Sequence, residues 1–138
     1  MCIRDSTNMT MIISNSANNG IVTGSNDYVG GFVGGISSNT NMTMTTSNSI
    51  NNGNATGNGC VGGFVGEIYR NTNMTMTISN STNNGNTTGS YRVGGFVGYI
   101  YRNTNMVMTI SNSANNGIVT GSWGDVGGFV GYLSLIHI

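Results

Sequence analysis

One unit of 32 or 33 residues recurs four times along this chain of 138. Asn-Met-(Thr/Val)-Met begins at Asn8, Asn41, Asn73 and Asn105, Asn-Asn-Gly at Asn18, Asn51, Asn83 and Asn115, and Val-Gly-Gly-Phe-Val-Gly at Val29, Val61, Val93 and Val126. A fixed period of roughly 20 to 50 residues marks a stack of supersecondary units, each too small to bury its apolar face alone. The copies run about 7–39, 40–71, 72–103 and 104–133 and form one repeat array. Residues 1–6 and 134–138 fall outside the period, and both resemble peptides translated from sequencing-adapter DNA. They are therefore expected to be tails that carry no information about the fold, in a natural protein longer than this chain. Cys2 and His137 fall in those tails.

The local pattern within each copy is that of strands. From Asn41 to Thr46, Asn73 to Ile78 and Asn105 to Ile110, polar and apolar side chains mostly alternate, and a period of two means a β-strand with one buried face. That face carries Met9, Met11 and Ile13, then Met42, Met44 and Thr46, then Met74, Met76 and Ile78, then Met106, Met108 and Ile110. Methionine is flexible and fills irregular gaps opposite small partners.

Asn-Asn-Gly should then turn the chain, with glycine supplying a positive φ. A short, half-exposed second strand follows (Ile21-Val22-Thr23 and its equivalents), then a loop whose length varies between copies. Val-Gly-Gly-Phe-Val-Gly reads as a third strand that stacks Phe32, Phe64, Phe96 and Phe129 as a ladder. Spacing leaves open whether Val33 and its equivalents point inward. The Asn of each Ser-Asn-Ser, namely Asn15, Asn48, Asn80 and Asn112, is expected to form an internal amide ladder.

Three short strands and three turns per period predict an all-β chain, a parallel β-helix of four coils in which equivalent residues stack at about 4.8 Å. A β-propeller is the alternative, but its blades take about 40 residues and four strands.

Composition narrows the function classes. Charged residues are 6% of the chain, with no basic excess, so nucleic-acid binding lacks its main electrostatic term. No apolar run is long enough to span a bilayer. Between Thr7 and Leu133 stand three carboxylates (Asp27, Glu67, Asp125), three arginines (Arg70, Arg92, Arg102), no lysine and no histidine. Catalysis needs titratable groups held together, and Asp27 and Asp125 fall three coils apart, about 14 Å by coil stacking. The expectation is a chain with no catalytic residues, no cofactor and no metal site. Cys60 reads as a chance small residue in a loop.

The run from Ile110 to Gly121 followed by Val126-Gly127-Gly128-Phe129-Val130-Gly131 resembles the GLUG repeat family, with Phe in place of the family's usual Leu. That resemblance implies a β-solenoid in large secreted or cell-surface proteins, including adhesins and surface peptidases in which such repeats are accessory. It brings no catalytic residues.

Aromatic and arginine side chains on a rigid edge are typical anchors of recognition. The variable loops present Tyr28, Tyr91, Arg92 and Trp123, and the corner expected opposite presents Tyr69, Arg70, Tyr101 and Arg102. These are the candidate contacts for a surface glycan or protein ligand; the other expected partners are neighbouring repeats of a longer chain. The functional expectation is a secreted or cell-surface stalk or ligand-presenting solenoid. Alternatives are an accessory region of a large surface peptidase or glycan-active enzyme, and an ice- or sugar-binding solenoid suggested by the Thr-x-Thr pairs at Thr43 and Thr75. Six Asn-x-Ser/Thr sequons, starting at Asn8, Asn41, Asn54, Asn73, Asn80 and Asn86, would matter only in a secreted eukaryotic protein.

Overall fold

A computed structural model describes residues 1–25 and 27–136; Asn26 of the first variable loop, and His137 and Ile138 of the C-terminal tail, lie outside the described residues. The chain winds as a parallel β-solenoid of about four coils, and every strand pairs in parallel with its equivalent one coil away. The pairing follows the repeat. Met74 sits opposite Met42, Met76 opposite Met44, and Val61 between Val29 and Val93.

The second coil shows how the sequence divides. Its strands are Thr40–Ser47, Ile50–Asn51, Ala55–Thr56, Cys60–Gly62 and Val65–Tyr69. There are thus five short strands per coil where the pattern predicts three. The expected third strand breaks in two because the chain turns a corner at Gly63-Phe64, where the amides of Phe64 and Val65 both donate to the carbonyl of Phe96. Turning there lets consecutive side chains point inward, which answers the question about valine: Val33, Val65 and Val97 are fully buried beside the phenylalanines.

Two apolar columns fill the interior. The larger holds the Met/Ile face of the first strand, the phenylalanines, and Ile36, Ile68 and Ile100. The rings of Phe32, Phe64, Phe96 and Phe129 stack with successive centroids 5.0, 4.7 and 5.2 Å apart. The smaller holds Val29, Val61 and Val93 with Ala55, flanked by Val22 and Val119. Only the middle residue of the second short strand faces inward: Ala55 is buried while Ile21 and Ile118 are exposed.

Two turn assignments are corrected. The glycine of Asn-Asn-Gly does not adopt positive φ, nor does any other described glycine. It is required by close approach instead, since a Cβ on Gly53 would run into the Gly20 carbonyl one coil below. The left-handed positions belong to other residues, in three columns: Asn15, Asn48, Asn80 and Asn112; Asn8, Asn41, Asn73 and Asn105; and Asp5, Ser38, Arg70 and Arg102, all with φ between 47° and 58°. Asparagine tolerates that region better than most residues.

The internal amide ladder therefore does not run through Asn15 and its equivalents, which are exposed. It runs at two other corners. Asn39, Asn71 and Asn103 are buried, each Nδ2 donating to the next Oδ1 at 2.9 Å. Asn18, Asn51, Asn83 and Asn115 do the same at 2.7, 2.7 and 2.8 Å. These chains satisfy backbone carbonyls at the corners as well, which buried polar groups require.

The flanking segments also pair. Cys2–Arg4 adds in parallel to Val33–Ser37, and Val130–Ile136 continues along Val97–Thr104 past Leu133. In the structure the sheet thus extends at both ends beyond 7–133.

Candidate functional site

Corners that the sequence sets opposite one another face each other across a crease in the coil. One wall is the column Cys2, Gly35, Glu67, Tyr99 and Tyr132, in register along the large sheet. The other is the column Tyr28, Cys60 and Arg92, which opens the neighbouring strands. The walls come close because glycine separates them: a Cβ on Gly66 or Gly98 would meet the backbone of Val29 or Val61. Cys60 thus lies in a strand and is buried, which corrects its placement in a loop.

Burial in the crease sets its electrostatics. The Glu67 carboxyl, 4% exposed, is pushed up to about 7, first by loss of solvation and then by Asp27, against the pull of Tyr28 and Arg4. Tyr28 is pushed up to about 12, by burial first and then by the neighbouring Glu67 charge. The Cys60 thiol is pushed up to about 11 by burial, with Arg92 opposing. A thiol so raised is a poor nucleophile at neutral pH. The described residues enclose no cavity, and among them no three His, Cys, Asp or Glu side chains gather as metal ligands.

Arg92 joins the two walls. Its guanidinium lies over Tyr99 at 4.4 Å and Tyr132 at 5.3 Å. Tyr99 stacks on Tyr101 at 5.4 Å, and Tyr101 on Tyr69 at 6.1 Å. Arg70 lies over Tyr69 at 4.9 Å and Arg102 over Tyr101 at 5.1 Å. Arg102 is held still more firmly protonated, by Tyr101 first and then Tyr69. Such guanidinium–ring contacts are electrostatic, the cation being drawn to the negative face of the ring.

Of the sequence-predicted contacts, Tyr69, Arg70, Arg92, Tyr101 and Arg102 are brought together in one patch. Tyr28 lies lower in the crease beside Glu67. Tyr91 and Trp123 are 56% and 84% exposed on the loop edge, and among the described residues neither ring stacks on the rings or guanidiniums of the patch. Tyr99 and Tyr132 were missed by sequence reasoning, although their two-residue offset from Tyr101 and Ser134 on an alternating strand would place them on the same side. The outward face of the first strand carries the columns Thr10, Thr43, Thr75, Val107 and Ile12, Thr45, Thr77, Thr109, each interrupted once.

No family model matches this chain, and no curated protein matches it. Among solved structures, the chain is similar to a protein of Bacteroides ovatus provisionally named an immunoglobulin A1 protease, at 19% identity and a TM-score of 0.44, over 86% of this chain and 49% of that one. The chain thus spans about half of that protein. A likeness of this degree says nothing about what the present chain binds or cuts. Among the described residues no helix is long and apolar enough to cross a membrane.

Proposed function

We propose that this chain is part of a secreted or cell-surface repeat protein in which the solenoid acts as a non-catalytic spacer and carries a ligand-binding edge. The observation that supports it best is the coil-on-coil register held from Thr10–Ser14 to Val107–Ser111. Backbone ladders, two buried amide ladders and a ring stack all run along the same axis.

The test is location. Antibodies raised against the chain, applied to intact cells of the source organism and to its culture medium, should label one or both. Signal that appears only after the cells are permeabilised sinks the proposal.

A further inference from the structure

A net charge of zero conceals a segregation of charge along the solenoid. The repeats hold three arginines, and all three converge on the tyrosine patch of the middle two coils. The carboxylates pair with only one of them, Arg92. Glu67 is buried in the crease, and Asp125 stands 4.0 Å from Arg92 Nε, too far for a hydrogen bond. Among the described residues that is the only ion pair within 4 Å, so Arg70 and Arg102 present exposed, unpaired guanidiniums.

The geometry limits what can dock. The tyrosine rings stack on one another or under a guanidinium, so their faces are occupied and cannot serve as platforms for bases or neutral sugar rings. What remains outward are the fork-shaped N–H donors and the phenol edges. Peptide recognition commonly uses a free strand edge or an apolar groove. The patch itself offers no free edge, since Val97–Thr104 is paired on both sides, by Val65–Tyr69 and Val130–Ile136. Arg70 and Arg102 occupy equivalent places in successive coils, about 4.8 Å apart along the axis. Each is already held against its own ring, which lowers the ordering cost of binding.

We infer that the Tyr69, Arg70, Arg92, Tyr99, Tyr101, Arg102 patch binds an acidic polysaccharide laid along the solenoid axis, its carboxylate or sulfate groups received by the two exposed guanidiniums. The inference rests on the surface-protein reading above and names the ligand class of its binding edge.

The experiment is calorimetric titration of the 138-residue chain at low ionic strength with polygalacturonate, dextran sulfate, neutral dextran and polyglutamate. Ser38 occupies the same left-handed place as the two arginines, so Arg70→Ser with Arg102→Ser keeps a residue that this corner accepts. Circular dichroism verifies the variant's fold. Expected are binding of at least one acidic polysaccharide, none of neutral dextran, weakening by added salt, and a loss of about tenfold or more in the double variant. Preference for polygalacturonate or for dextran sulfate identifies the anion as carboxylate or sulfate. Absence of binding to both, equal binding by the folded double variant, or tighter binding of polyglutamate would overturn the inference. Surface labelling is read independently, so the spacer proposal can stand if the glycan inference falls.

Discussion

Asn71 Nδ2 donates to Asn103 Oδ1 at 2.9 Å, and the backbone amide of Asn71 donates to that same oxygen at 2.8 Å. One side-chain oxygen thus accepts from both the side-chain and the backbone N–H of its neighbour below and the arrangement is passed on, since Asn39 bonds to Asn71 in the same way at 2.9 and 3.0 Å. The corner is dry, and each amide left without a partner there costs about 1–3 kcal/mol.

Asn71→Ala should therefore destabilise the chain by about 2–4 kcal/mol, as it orphans donors on Asn39 and the Ile36 carbonyl together. Asn80→Ala, in the exposed left-handed column, should cost only about 1–2 kcal/mol of backbone strain. Urea denaturation compares the two. Equal losses would mean that the buried ladder contributes no more than a turn.

The ring stack predicts a second ranking. Phe64→Ala removes a fully buried ring held between two others and should cost about 3–5 kcal/mol. Phe129, 39% exposed in the last coil, should cost well under half as much. The same denaturation experiment measures both.

Glycines of one motif should differ by place. A Cβ on Gly63 would lie against the Gly95 carbonyl and the Asn83 amide, whereas on Gly128 it meets nothing within 4 Å. Gly63→Ala should cost about 1–3 kcal/mol or more, because backbone has to move. Gly128→Ala should be close to neutral. Thermal melting of the two variants checks the contrast.

Stability should fall as pH rises through neutrality. The carboxyl of Glu67 has its folded pKa raised from the ordinary 4.5 to about 7, so the native chain binds this proton more tightly than the unfolded chain. Its contribution is complete below about pH 4.5 and is lost as pH rises through about 7. Glu67→Gln should flatten the dependence between pH 5 and 8 and stabilise the chain at pH 8. An unchanged slope in the variant would assign it to another group.

Much of the architecture was legible from recurrence. The period and the alternation of Asn41 to Thr46 suffice to place Met42 and Met44 inside and to stack coil on coil. Asparagine was not legible in the same way. The residue serves both a left-handed turn and a buried amide ladder, and only the path of the corner decides that Asn48 takes the first role and Asn51 the second. The patch was half legible: Tyr69, Arg70, Tyr101 and Arg102 stand out as repeated dipeptides. Their meeting with Arg92 depends on the bend at Gly-Gly, which strand patterns do not encode because glycine fits strand and corner alike.

A crystal structure of the chain tests the central claim most directly, namely that equivalent residues 32 or 33 apart stack in register. The account predicts Phe64 and Phe96 rings stacked near 4.7 Å, with Asn71 bonded to Asn103 beneath the adjacent corner. Antiparallel pairing, or a parallel register shifted so that Phe64 no longer lies over Phe96, would contradict it.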